Sequence, residues 1–159
     1  MASLIGLYSL FFGLFSSFLI IFFSIKNLRN FLNFDSKILS LTFLQFFFVV
    51  VSFLGLIISF INSDFSNETV YNHSHSTKPL FYKISGTWGN HEGSLLLWLL
   101  VLTLFLFLFL LKSKEQNKKY RILTLFFQQI IIIGFFIFLI KTSNPFNYIF
   151  PTPAEGLGL

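Results

Sequence analysis

The stretch SLLLWLLVLTLFLFLFLL, from Ser94 to Leu111, decides the fold because none of its side chains is ionised. A transmembrane helix needs about 20 mostly apolar residues, and this run is close to that length. Strands of a membrane barrel are shorter, about 10 residues, and alternate in polarity, which this run does not do. A helix also pairs its backbone polar groups internally, as lipid requires. The stretch therefore predicts a membrane-spanning helix.

Three further runs are similarly apolar, and each predicts another membrane helix. They cover about residues 3–25, 38–61 and 122–140, with polar interruptions at Gln45, Gln128 and Gln129. The first run lacks a basic leading segment and is too long for the core of a signal peptide, so we expect this helix to be retained. The predicted fold is an all-α membrane protein with four transmembrane helices, one membrane domain over residues 1–159 that forms part of a larger helical assembly.

The composition agrees with a membrane protein and excludes several other classes. Of the 159 residues, 55% are hydrophobic and only 11% are charged, whereas soluble domains carry about 25% charged residues. The absence of cysteine excludes disulfides, thiolate metal sites and covalent attachment of haem to this chain. The formal charge of +5 lies mostly in short loops between apolar runs, so nucleic-acid binding is not indicated. The 26 Phe residues suggest an AT-rich genome, either of an organelle or of a bacterium.

The loops predict an orientation. Loop one joins the first two predicted helices, and loop three joins the last two. Together they hold eight (three plus five) of the eleven Lys and Arg residues: Lys26, Arg29, Lys37, Lys112, Lys114, Lys118, Lys119 and Arg121. The positive-inside rule puts these loops in the cytoplasm or matrix. Loop two, residues 62–93, and the tail, residues 141–159, are then outside with both termini, in the periplasm or intermembrane space. The first part of loop two, residues 62–79, is predicted to be irregular.

The densest group of functional residue types is GTWGNHEGSLLLW, which runs from loop two into the third membrane helix. Its candidate residues for a haem cavity, or for bracing one, are Trp88, Gly89, His91, Glu92, Gly93 and Trp98. A structural explanation is also available, in which Ser94 caps the helix, Glu92 interacts with its positive end and the tryptophans form an interfacial belt. Glu92 is then explained without a functional role, whereas His91 stays open.

The remaining polar residues in and near the helices give weaker signals. His91 has no second ligand at a suitable spacing, and His73 and His75 form a pair without a third, so no metal site is predicted and no catalytic residue is assigned. Gln128 and Gln129 are expected to hydrogen-bond between helices. No ionisable residue lies inside a predicted span, which argues against a proton pump or an ion-coupled carrier.

Three segments, in the same order, resemble the CcmF family of cytochrome c haem lyase subunits. They are FYKISGTWGNHEGSLLLWLL, TSNPF at Thr142 to Phe146, and PTPAEGLGL at Pro151 to Leu159. The related nitrite-reductase haem lyase component is similar in the first segment. The resemblance makes the tail a second candidate site, with residues Asn144, Pro145, Phe146, Pro151, Pro153 and Glu155.

The resemblance implies a role in attaching haem to the CXXCH thiols of apocytochrome c. Haem would arrive from the chaperone CcmE, and CcmH-type subunits would present the apocytochrome. The family's Trp-rich motif and haem-ligating histidines do not occur here, so the chain is expected to be an N-terminal component that works with the remaining CcmF portion, and we leave open whether it is itself an enzyme. The expected location is the mitochondrial inner membrane, or alternatively a bacterial inner membrane. The alternative functions are an accessory subunit of a respiratory complex and a small transporter or channel subunit.

Overall fold

A computed structural model describes residues 1–29 and 34–158, and it contains four long helices and two short ones. The long helices are α1 (Ala2–Arg29), α2 (Phe34–Ile61), α5 (His91–Lys112) and α6 (Lys118–Lys141), and the short ones are α3 (Glu68–His73) and α4 (Leu80–Gly86). Each long helix is long and apolar enough to cross a membrane by length and composition. The predicted all-α class with four such helices is therefore confirmed.

Two local predictions were wrong. Residues 62–79 are not wholly irregular, because Asn67 starts α3 by accepting hydrogen bonds from the Thr69 and Val70 amides. The helix expected to start at Ser94 begins at His91, with Asn90 as its N-cap. Ser94 instead lies in the first turn, where its hydroxyl donates to the His91 carbonyl.

The long helices pack as a bundle around one apolar core. Helix α1 lies along α2 and also contacts α6, while α5 contacts both α2 and α6. The backbones of α1 and α2 come close together at Gly55, where a Cβ atom would lie 3.0 Å from the Ala2 carbonyl oxygen and 3.1 Å from the Gly6 Cα. Small residues allow such approach in membranes, where packing rather than water exclusion holds helices together.

A buried amide pair joins α2 to α6 inside this core. The Gln129 side-chain amide donates to the Gln45 oxygen at 2.9 Å, and the Gln45 amide donates to Gln129 at 3.2 Å and to the Ser17 hydroxyl. Both glutamines are fully buried. Gln128 reaches α5, where it donates to the Leu102 carbonyl. The expected hydrogen bonding between helices is therefore present.

We expect Gln129→Leu to destabilise the bundle because it removes both amide contacts and leaves Gln45 with Ser17 alone. Hydrogen bonds between membrane helices contribute about 0.6 kcal/mol on average and up to about 1.7 kcal/mol. A Gln45→Leu/Gln129→Leu double variant should lose less stability than the sum of the single variants. Unfolding in detergent measures all three, and additive losses would contradict a coupled pair.

Candidate functional site

The turn between α4 and α5 is held by one side chain. The Asn90 oxygen accepts from the Gly93 amide at 2.7 Å, which caps α5. The amide nitrogen of Asn90 donates to the Gly86 carbonyl at 2.7 Å and to the Thr87 carbonyl at 3.3 Å, which closes α4. Asn90 therefore fixes the angle between the two helices and the direction in which the Thr87 to His91 segment projects.

Gly93 lets the backbone at the start of α5 come into contact with the backbone that follows α4. A Cβ atom at Gly93 would lie 1.6 Å from the Thr87 carbonyl oxygen, so no other residue fits without a backbone shift. Gly89 has no such restriction, since the nearest atom to a Cβ there, the Ser85 carbonyl oxygen, is at 3.4 Å. The two glycines of the motif thus have different roles, and only Gly93 is required by close packing.

The aromatic and imidazole side chains of the motif lie at the surface. Trp88 is 42% exposed and Trp98 is 60% exposed, and His91 is exposed as well. Because His91 and Trp98 are seven residues apart, they share one face of α5. These three side chains are accessible to a ligand, a partner or lipid headgroups.

Glu92 points to a different place, a small polar pocket of about 190 Å³. The pocket is lined by polar residues of α3, α5 and the tail: Glu68, Thr69, Asn72, Glu92, Thr142, Ser143, Asn144 and Asn147. Glu68 accepts a hydrogen bond from the Asn147 side chain at 3.1 Å. The Oε2 atom of Glu92 is buried and has no hydrogen-bond partner among the described residues. The HEGS and TSNPF motifs, far apart in sequence, therefore line the same pocket.

The TSNPF segment is anchored to α1 and to loop two. The Asn144 side chain accepts from the Phe146 amide at 2.9 Å, which makes a tight turn. The Pro145 carbonyl accepts from the Asn67 side chain at 2.9 Å. The Phe146 ring is buried and lies over Gly6, where a Cβ atom would be 2.4 Å from the ring. These contacts fix the tail side of the polar pocket.

The last part of the tail docks on the segment that follows α3. Glu155 accepts hydrogen bonds from the Ser76 hydroxyl at 2.6 Å and from the Ser76 amide at 2.9 Å. The Leu157 amide donates to the Tyr71 carbonyl at 2.8 Å. Gly156 is in close contact there, because a Cβ atom on it would lie 2.1 Å from the Ser74 carbonyl oxygen. The nearby prolines are more open, with Pro151 exposed and Pro153 half-buried.

This docking should depend on pH through Glu155. Hydrogen bonds from the Ser76 hydroxyl and then from its amide lower the pKa of Glu155 from 4.5 to about 2. A carboxyl with a lowered pKa stabilises the docked tail above pH 4.5, and this contribution is lost as the pH falls towards 2. A spin label at Thr152→Cys, the only thiol present, should therefore gain mobility over that range. With Glu155→Gln added, mobility should not change with pH, and an unaltered transition would contradict the assignment.

No protein-family model matches the chain, but related proteins do. It is 45% identical over 115 residues to the cytochrome c-type biogenesis protein CycK of Bradyrhizobium diazoefficiens. The aligned region covers 72% of this chain and 17% of CycK. It is 42% identical over 113 residues to CcmF of Pseudomonas fluorescens, covering 70% of this chain and 17% of that protein. The solved structure of the cytochrome c haem lyase CcmF superposes with a TM-score of 0.79 and 28% identity, over 92% of this chain and 25% of that one.

The chain belongs to the CcmF-type family of cytochrome c-type biogenesis proteins. The family membership predicted from the three sequence motifs is thus confirmed. This CcmF-type chain spans about a sixth (17%) of the length of the curated relatives named above. The identity and the structural match together support the helical arrangement described above.

Two histidines of this CcmF-type chain are engaged with neighbouring groups. His73 bonds the Thr69 carbonyl through Nδ1, and His75 contacts Thr77 through Nδ1 and lies 3.8 Å from Glu155 through Nε2. Within residues 1–29 and 34–158, no three His, Cys, Asp or Glu side chains converge as a metal site. His91 differs from these two histidines in that it is exposed at the start of α5, and no hydrogen bond from its ring is found among the described residues.

The sequence interpretation of this CcmF-type chain missed several pocket and turn residues. Asn90 had a recognisable signal, because Asn is a favoured N-cap and precedes the apolar run. Glu68, Asn72 and Asn147 had none, since each lies in a polar segment outside the predicted membrane helices. Only the docking of the tail on loop two shows that they share a pocket with Glu92.

Proposed function

We propose that the chain is the N-terminal component of a haem lyase that attaches haem to apocytochrome c. One observation carries the proposal: segments that resemble the family's motifs converge in space. Glu92 of HEGS meets Ser143 and Asn144 of TSNPF at the polar pocket, and Glu155 of PTPAEGLGL docks beside α3. Such convergence of distant motifs indicates one functional surface rather than separate helix ends.

In this proposal the chain supplies part of the outer surface of the lyase, and haem is its substrate. Trp88, His91 and Trp98 are exposed and suited to contact a porphyrin or the apocytochrome, while Asn90 and Gly93 position them. The remaining CcmF portion supplies the haem-ligating histidines, CcmE delivers haem and CcmH-type subunits present the apocytochrome. The proposed location is the mitochondrial inner membrane, because the amino-acid composition suggests an AT-rich genome. A bacterial inner membrane is the alternative.

A chimera tests this function. The segment of Bradyrhizobium CycK that matches this chain would be replaced by it, in a strain that lacks its own lyase. We expect covalent haem staining of c-type cytochromes to return with the chimera and not with the chain expressed alone. A chimera that accumulates in the membrane but matures no cytochrome would contradict the proposal, and an accessory respiratory subunit would then be favoured. Maturation by the chain alone would contradict its need for a second portion.

The orientation proposed from the charges is tested by cysteine labelling. The chain has no native cysteine, so single variants give no background. Thr77→Cys and Thr152→Cys should react with an impermeant thiol reagent from the periplasm or intermembrane space, because both positions are exposed in loop two and the tail. Lys114→Cys, exposed between α5 and α6, should react only from the opposite side. Labelling of all three from one side would contradict the orientation.

A further inference from the structure

A groove between α5 and α6 lies at the basic end of the bundle, away from the polar pocket. Its volume is about 510 Å³. It is lined by four apolar or aromatic side chains and three polar ones: Phe105, Leu108, Phe109, Tyr120, Lys112, Ser113 and Gln116. Residues 105, 108, 109 and 112 follow the i, i+3, i+4, i+7 spacing, so they form one stripe along α5. The stripe runs from apolar at membrane depth to cationic at the helix end.

The groove is formed by the helical hairpin of α5, α6 and the turn that joins them. The rings of Phe109 and Tyr120 meet edge to face with centroids 6.3 Å apart, which joins the two walls. Arg121 is buried under the turn, where it donates to the Ser113 hydroxyl at 3.1 Å and to the Leu110 carbonyl at 3.3 Å. These hydrogen bonds fix the start of α6 against the end of α5. The shape of the groove therefore does not depend on a ligand.

The polar end of the groove has one cationic lining residue, Lys112, and lies at the start of a basic segment. Lys112, Lys114, Lys118 and Lys119 lie within one short segment that contains a single acidic residue, Glu115. Lys112 is exposed, and so are Tyr120 and Phe105, at 56% and 61%. A ligand here would need an anionic group at the membrane surface and an apolar portion at membrane depth. Basic pockets between transmembrane helices bind the headgroups of anionic lipids for this reason.

We propose that this groove is a binding site for an anionic phospholipid. The acyl chain lies along Phe105, Leu108 and Phe109. The phosphate accepts hydrogen bonds from Lys112 and the Tyr120 hydroxyl, and the other lysines strengthen the potential around it. A second membrane helix would match the apolar stripe equally well, but it would leave the cationic end without an anionic partner. The site does not depend on the proposed lyase function, because its chemistry comes from the hairpin alone.

The full chain, purified in detergent, is titrated with phosphatidylglycerol or phosphatidylcholine, and bound lipid is counted by native mass spectrometry. We expect phosphatidylglycerol to bind more tightly, and Lys112→Gln to weaken it about fivefold with little effect on phosphatidylcholine. Lys141→Gln is the matched control, since Lys141 is exposed at the opposite end of α6. Phe105→Ala should weaken both lipids alike, because it removes part of the acyl-chain wall.

Three results would overturn the proposal. Equal affinity for the two lipids would show that the cationic end has no role. An equal effect of Lys141→Gln and Lys112→Gln would indicate general charge attraction rather than a site. Unchanged binding in both Lys112→Gln and Phe105→Ala would show that bound lipid lies elsewhere, and the groove would then be assigned to a neighbouring helix.

Discussion

Gly93→Ala should prevent the correct assembly of the end of the bundle where α4 meets α5. The new methyl group would lie 1.6 Å from the Thr87 carbonyl oxygen and 2.8 Å from its carbonyl carbon, which are backbone atoms that no rotamer change can move. The turn must open, and Asn90 then loses the geometry that caps α5 and closes α4. Overpacking typically costs about 1–3 kcal/mol, and a clash with backbone atoms should lie at the upper end of that range or above it. Thermal unfolding in detergent, and the fraction recovered as a monodisperse species, measure the loss.

Gly134→Ala is the matched control for this experiment. Gly134 lies within α6, and a Cβ atom there would have no neighbour within 4 Å. Alanine is the better helix former by about 1 kcal/mol, so the control should be as stable as the parent chain or more so. If both substitutions had the same small effect, the close approach of Thr87 to Gly93 would be wrong. If both were severe, helical glycine in general would be the cause.

The membrane helices could be predicted from the sequence because lipid leaves few alternatives. A run such as Ser94 to Leu111 must be helical to pair its backbone groups, whatever its neighbours do. Helix ends are less determined, since several residues near an end can act as caps. Ser94 and Asn90 are both favoured N-cap types, and Asn90 is the cap because its amide group can bond α4 and α5 at once.

The polar pocket could not be predicted, because its parts are joined only by tertiary packing. Glu68, Glu92 and Asn144 belong to three segments, and their meeting depends on how far the tail extends beyond α6 and where Phe146 docks on α1. The glycines show the same limit. PTPAEGLGL indicates a tight or unusual backbone, but only the structure shows that Gly156 and Gly158 lie against the Ser74 and His73 backbone.

The position of Glu92 at the start of α5 does not fully explain its carboxylate. A carboxylate in the first turn of α5 stabilises the helix by about 0.3–1 kcal/mol through the helix dipole. Its Oε2 atom, however, is buried with no hydrogen-bond partner among the described residues, which is unfavourable for a charged group. The two effects oppose each other, so the charge contributes little to folding. Glu92 also lines the polar pocket, and we propose that its carboxylate binds a donor or a cation of a substrate or partner there.

Glu92→Gln should therefore leave assembly intact while cytochrome c maturation falls about tenfold or more. The amide keeps the shape of the side chain but removes the charge, so stability should change by less than about 1 kcal/mol. Covalent haem staining in the CycK chimera, normalised to the chimera's membrane level, measures maturation. Glu68→Gln is the matched control, because Glu68 lines the same pocket but is exposed. The Asn147 side chain, which donates to Glu68, can donate to the oxygen of the new amide as well.

Combining Glu92→Gln with His91→Gln distinguishes a role of the polar pocket from a role of the exposed His91 side chain. If His91 contacts haem or transfers a proton, its substitution should lower maturation on its own, and Glu92→Gln should lower it further. A loss in Glu92→Gln alone would assign the function to the pocket and leave His91 as a surface residue. Normal maturation in both single variants and in the double variant would remove the functional role from this motif. The segment would then serve only to cap α5 and to hold Trp88 and Trp98 at the membrane interface.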